Sequence, residues 1–362
     1  MTRPLPLLLR ILRAPQTMGE LDVASWDLLL RQAAAANLTG SLARLAEEAS
    51  VAERVPAPAR RHLDWARTTE VRHRQAVLFE VREIQRALDA LGIPLILLKG
   101  AAYVAAGLRA GSGRLFSDID VLVPKPLLPE VESALMLAGW ASHHHDAYDQ
   151  HYYREWMHEL PPMEHLRRGN AIDVHHAILP ETARLRPDSA RLRAAARPIA
   201  GLPGVAVLAP HDMVLHSAVH LFFDGEFDKG LRDLLDLDRL LHEFGSEPGF
   251  WSALPARARE LELSRPLFYA LRYSQRLLGT PVPQAVLDAL APAAPNRILS
   301  WLMDGLFERA LMPLHPSCAD RFSGLARFAL YVRGNWLRMP PLMLSRHLFH
   351  KAFISPRAAP AP

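Results

Sequence analysis

A chain of 362 residues, half of them hydrophobic and 22% charged, has the composition of a folded protein and not of a disordered one. It is long enough for two or three packed subdomains. With 42 basic against 38 acidic residues the net charge is +4, which excludes a strongly acidic surface and suits polyphosphate or nucleic-acid partners without requiring either. The single cysteine, Cys318, excludes an intrachain disulfide and any multi-cysteine metal centre, and a cytoplasmic location is the expectation.

The apolar patch at residues 5–9 is short, proline-interrupted and followed by no small-residue cleavage site, so it does not read as a signal peptide. No uncharged apolar run approaches the ~20 residues that cross a bilayer, so no integral membrane segment is expected. Residues 22–90 carry a helical period, with Leu28, Leu29, Ala33 and Ala36 and later Val77, Val81, Ile84 and Leu88 at three- and four-residue spacing. Pro56 and Pro58 break this stretch into at least two blocks.

The period then changes. Residues 93–98 form a short apolar run between Gly92 and Lys99-Gly100, which predicts a buried strand. A helix is predicted over 101–108, a flexible loop at Gly111-Ser112-Gly113, and a second strand over 117–123 that Pro124 and Pro126 stop. An amphipathic helix over 127–137 ends at Gly139. Residues 152–160 and 171–178 read as paired strands, with breaks at Pro161-Pro162 and at Arg168-Gly169-Asn170. From Pro210 onward the pattern is helical again, over 213–223, 229–244, 251–278 and 284–310.

Asp118 and Asp120 are two apart on the second strand, so both side chains point to one face while Ile119, Val121 and Val123 point to the core. Two such carboxylates repel each other unless a cation sits between them, which is the argument for metal. Ile172-Asp173-Val174 repeats the alternation. If the two strands are neighbours, Asp173 joins the pair and is placed to accept or orient the proton of an attacking hydroxyl. Lys99 and Gly100, at a strand-to-helix junction, suit triphosphate oxygens, and Arg114 is expected to reach the β- or γ-phosphate.

The order Leu98-Lys99-Gly100, then 114–123 with its Ser-Asp-Ile-Asp core, then Ile172-Asp173-Val174-His175-His176 resembles the uncharacterised bacterial nucleotidyltransferases of the DNA polymerase β superfamily. The resemblance is firm over 91–179 and looser over 210–251. It implies an α+β fold, with a polymerase β-type core of small mixed sheet and flanking helices, set between largely helical N- and C-terminal regions. The corresponding divisions are a helical region 1–90, the core 91–180, a helical domain 205–310 and a basic C-terminal region 311–362. It also implies two Mg²⁺ ions, replaceable by Mn²⁺, on Asp118, Asp120 and Asp173, with Lys99, Gly100, Arg114, Ser117, His220 and Asp233 at the nucleotide. The expected partners are a nucleoside triphosphate and a hydroxyl acceptor, whether small molecule, peptide, protein or RNA end. The alternative is a nucleotide-binding regulatory or scaffold protein that has lost turnover.

Other features have simpler readings. His143, His144, His145 and His151 lack the spacing of a tetrahedral zinc set and read as a polar surface loop. His216 and His220 share a helix face without the glutamate of a zinc-protease motif. After Asp320 seven basic residues and no acidic ones are interleaved with Trp336, Leu342, Leu348 and Phe349. Packing on an acidic part of the same chain is preferred there over contact with an anionic membrane surface or RNA.

Overall fold

The computed structural model of the chain describes residues 4–142, 152–340 and 343–345. The histidines at 143–145 and 151 lie outside the described residues, as do Arg346, Lys351 and Arg357.

Helices α1 (Leu7–Arg13), α2 (Val23–Ala35), α3 (Thr39–Glu48) and α4 (Ala57–Leu88) come first. Asp22 caps α2 by accepting from the Ser25 amide, and Pro56 precedes α4, where the first turn needs no intrahelical donor. The α4 face that carries Val77, Val81, Ile84 and Leu88 is buried against the core, as the period predicts. Gly92, at φ +63°, turns the chain into β1 (Leu95–Leu97). There follow α5 (Lys99–Ala105), β2 (Asp118–Leu122), α6 (Leu128–Leu137), β3 (Trp140–Ser142), β4 (Met163–His165) and β5 (Ala171–His175). Then come α7 (Ser189–Ala194), β6 (Arg197–Pro198) and β7 (Val205–Val207). The rest is helical: α8 (Pro210–Phe223), α9 (Gly230–Phe244), α10 (Phe250–Glu260), α11 (Ser264–Tyr273), α12 (Gln284–Leu290), α13 (Arg297–Ala310) and α14 (Ser323–Arg338).

The seven strands form one mixed sheet in the order β3-β4-β5-β2-β1-β7-β6. The central pairs are β1 with β2, antiparallel, and β2 with β5, parallel. β7 pairs parallel with β1, so the sheet continues beyond the expected core at 91–180. The expected strand over 152–160 is corrected. Tyr152–Trp156 is a π-helical turn, the antiparallel neighbour of β5 is β4, and the earlier stretch meets β5 only over 158–160, in an isolated bridge of Glu159 to His175.

The Gly111-Ser112-Gly113 loop is packed from two sides. Gly113, at φ +72°, crosses Gly40 of α3 so closely that a Cβ on Gly40 would lie 2.5 Å from the Gly113 carbonyl oxygen. Arg239 on α9 donates to the Ser112 carbonyl at 2.8 Å and closes the loop from the other side. In the basic C-terminal region Arg327 donates to the Met312 carbonyl and Arg333 to the Phe222 carbonyl. Arg333 also lies over the Phe307 and Tyr269 rings, while Asp228 acts on Arg327 and Arg338 acts on Asp224, so the region meets carbonyls and rings as well as acids of the same chain. On α14 the outward residues Leu325, Phe328, Val332 and Trp336 are exposed.

The glycine crossing gives a direct test. Gly40→Ala forces two backbones apart and is expected to cost about 1–3 kcal/mol in urea unfolding. Gly324→Ala, which meets nothing within 4 Å on α14, should be neutral or stabilise by up to ~1 kcal/mol. Equal effects at the two positions would contradict the close crossing.

Candidate functional site

Ile119, Val121 and Val123 on one chain segment and Ile172 and Val174 on the other are buried. Strand alternation then sets Asp118, Asp120 and Asp173 together on the opposite face. The parallel register places Asp120 beside Asp173 and Asp118 beside Ala171. One carboxylate oxygen from each of the three acids lies within 4.8 Å of the others.

The three acids are not equivalent. Burial alone would raise the Asp120 carboxyl. Lys99 Nζ at 3.3 Å and the His175 Nε2 donor at 2.8 Å outweigh it and hold that carboxyl well below the usual range. Among the described residues Asp173 has no hydrogen-bonding cation, and the His175 charge offsets only part of what raises it. Burial, and then the Asp120 and Glu159 charges, push it up to about 7.

Lys99 reaches Asp120 from the end of β1. Its backbone lies in the left-handed region at φ +44°, a conformation that costs a side-chain-bearing residue roughly 1–2 kcal/mol. The Lys99 side chain is only 19% exposed. Burial disfavours its charge, but Asp120 and the acids around it more than compensate and raise its pKa. The residue expected to meet phosphate is thus a buried cation bound to the carboxylate cluster.

His175, two residues beyond Asp173, shares its face. Its Nδ1 lies 3.1 Å from Glu159 Oε2 while Nε2 serves Asp120. Burial lowers its pKa, and the Asp120 hydrogen bond and the Glu159 charge override this in the opposite direction. Glu159 is itself raised, by burial first, with His175 and Lys99 offsetting part of it. His158 stacks on His175 with ring centroids 5.2 Å apart. No sequence motif marks His158 or Glu159, because they reach the site through the bend that follows the π-helical turn.

Arg114 is packed inside the protein. It is 6% exposed and donates to Asp236 on α9 at 2.6 Å, with Asp233 at 3.7 Å. Its guanidinium lies over the Tyr103 and Phe116 rings. Two carboxylates hold it inside the protein. Gly100 answers to the same packing, since a Cβ there would overlap Arg114 Nη1 and come within 2.8 Å of Phe116 Cδ1. The glycine makes room for a guanidinium rather than for a phosphate oxygen.

Ser117 is exposed at the start of β2. His220 Nδ1 pairs with Asp224 at 2.6 Å, and its Nε2 is 3.9 Å from Asp233. Asp233 is also bound by Arg232 at 2.6 Å. Burial raises its carboxyl, and Arg232, His220 and Arg114 together draw it below the ordinary value. Among the described residues His220 is one turn beyond the buried His216 on α8, and its charge also acts on Asp120. Asp224, at the C-terminal end of α8, carried no sequence signal of its own.

Fold and site together define a mixed α/β protein with three acids converging on one sheet face, an arrangement suited to divalent cations and to phosphate esters neutralised by them. The chain belongs to the family described as "Uncharacterised nucleotidyltransferase", whose family model matches residues 22–279. No curated protein and no solved structure matches it.

The raised Asp173 carboxyl has a measurable sign. Its pKa is about 7 in the folded protein against an ordinary 3.8, so the stability it confers is complete below 3.8 and lost as pH rises through about 7. Asp173→Asn has nothing to lose over that window. In chelator-treated protein, thermal or urea melts should show the variant gaining on wild type from about pH 4 to 7 and level above it. Saturating Mg²⁺ should shrink the gap. A difference independent of pH would contradict the uncompensated carboxyl.

Proposed function

We propose that this protein is a metal-dependent nucleotidyltransferase with a polymerase β-type core, which moves a nucleoside monophosphate from a nucleoside triphosphate to a hydroxyl acceptor and releases pyrophosphate. The observation that carries the proposal is the convergence of Asp118, Asp120 and Asp173 on one sheet face, in a chain of a nucleotidyltransferase family. Three clustered carboxylates fit hard dications, two Mg²⁺ ions with Mn²⁺ as a substitute, and the raised Asp173 is the mark of negative charge awaiting one. When bound, the dications supply neutralisation of the triphosphate and stabilise charge developing at the transferring phosphorus.

The residues divide the remaining work. Asp118 and Asp120 hold the metal, and Lys99 and His175 keep Asp120 ionised and oriented for it. Asp173 completes the set and orients the attacking hydroxyl. It takes the proton as the new oxygen–phosphorus bond forms at the α-phosphate and the bond to the β-phosphate oxygen breaks. Lys99 is the buried cation nearest the acids and is assigned to the triphosphate side. Ser117, exposed next to Asp118, and His220 with Asp233 on α8 and α9 are assigned to the nucleotide. Arg114 and Gly100 act in packing, and the reaction needs no phosphate contact from either.

Calorimetry tests the reading. Each of ATP, GTP, CTP and UTP is titrated into the full chain with Mg²⁺ and with chelator. Binding of at least one nucleotide should require Mg²⁺ and should weaken by about tenfold or more, ~1.4 kcal/mol, in Asp118→Asn. Asp118 is half-buried at the edge of the site, so this variant leaves the Asp120 interactions intact. Nucleotide binding that ignores both the metal and the substitution would overturn the assignment.

A further inference from the structure

A second group of metal-competent side chains lies beside the three aspartates and is chemically different from them. His158, Glu159 and His175 each bring a donor atom within 4.8 Å of the other two. Glu159 Oε2 and His175 Nδ1 are 3.1 Å apart. Two ligands that share one zinc ion at ~2.1 Å and a tetrahedral angle lie about 3.4 Å from each other, so this pair is already spaced as neighbouring ligands.

The backbone fixes all three. Glu159 bridges to His175, the Leu160 amide donates to the Val174 carbonyl, and the His176 amide donates to the His158 carbonyl. An independent observation is an unsatisfied atom. The Nδ1 of His158 is buried and has no hydrogen-bond partner among the described residues. A buried ring nitrogen without a partner is a cost that a ligated ion would remove.

The orientation of His175 points the same way. Its Nε2–H donates to Asp120 at 2.8 Å, so a neutral ring presents the Nδ1 lone pair towards Glu159. A carboxylate behind a histidine, holding the ring so that its other nitrogen faces a metal, is the usual arrangement at protein zinc sites.

We propose that His158, Glu159 and His175 bind one zinc-like transition-metal dication, separate from the Mg²⁺ of the aspartate set. Two imidazoles and one carboxylate suit zinc or cobalt, whereas three carboxylates suit magnesium or manganese, so each group selects its own ion. Held there, the ion fixes His175 and, through it, the Asp120 carboxylate. The proposal goes beyond the transferase reading and stands without it, because its readout is metal content and not turnover.

The test uses the full chain, stripped with chelator and dialysed against zinc in the presence of millimolar Mg²⁺, with bound zinc measured by atomic emission. Wild type and Asp118→Asn should each retain one zinc per chain. His158→Ala and Glu159→Gln should retain little, with affinity lowered at least about tenfold. Zinc-free wild type, full zinc in His158→Ala, or loss of zinc in Asp118→Asn would each overturn the site. Should the substituted chains fail to fold, cobalt-loaded wild type still decides the matter by NMR. Paramagnetically shifted ring signals from two histidines support the site, and none overturns it.

Discussion

The geometry of this protein depends on one strand pairing, β2 beside β5 with Asp120 level with Asp173. What fixes that register is not the acidic face but the other one. Ile119, Val121, Ile172 and Val174 are all buried, and burying each side chain is worth roughly 1.5–3 kcal/mol. A slip of one residue would exchange the faces of the whole strand, set Ile172 or Val174 among the acids and drive Asp173 into the core. The hydrophobic face therefore holds together carboxylates that would otherwise separate. The strain appears in their ionisation, with Asp120 pulled down and Asp173 pushed up.

That asymmetry also explains how the fold tolerates the cluster without a cation. Lys99 and His175 both serve Asp120, so one acid is compensated, and the repulsion falls on Asp173, whose carboxyl is pushed up to about 7. A buried lysine bound to a carboxylate is weak evidence for stability by itself, since desolvation consumes most of the attraction. Its value here is positional, because the same ammonium and the same imidazole define where the Asp120 oxygens lie. The Asp120 oxygens are therefore held in place by the protein's own groups, which is the preorganisation the proposed transferase reading calls for.

Much of this was legible in the chain. The apolar-Asp-apolar alternation around Asp120 and Asp173 decided which side chains share a face, and Pro, Gly and helical period located the flanking elements to within a few residues. The partnership of the two strands was harder, because residues 118 and 173 are joined by no local pattern. The segment containing Tyr152, Tyr153 and Trp156 misled for a physical reason: aromatic residues favour strands, yet the backbone here forms a π-helical turn. With that turn misread, Glu159 and His158 were invisible as site residues. β3, β4, β6 and β7 were not legible, each being two or three residues long; β1, no longer, was marked by the apolar run between Gly92 and Lys99-Gly100. Arg114 shows a different limit. Residue type and position suit phosphate, but the charge that decides its role is Asp236, more than 100 positions away on α9.

The packing of Arg114 reaches back into the site itself. Asp236 and Asp233 hold the guanidinium between the Tyr103 and Phe116 rings, and the space it occupies is the space a side chain on residue 100 would need. Gly100 is thus demanded by an arginine anchored on a distant helix. With Gly100 pressed against that group, the turn from β1 into α5 has little freedom, and the preceding residue takes φ +44°. From that strained backbone the Lys99 side chain reaches Asp120 at 3.3 Å. A continuous line of packing runs from Asp236 through Arg114, Gly100 and Lys99 to the acid at the centre of the cluster. The helical region is therefore part of what sets the active geometry and not a cover laid over it. The chain order Lys-Gly, Arg, Asp-x-Asp reads as a phosphate motif along the sequence, and in three dimensions the same residues also brace one carboxylate in place.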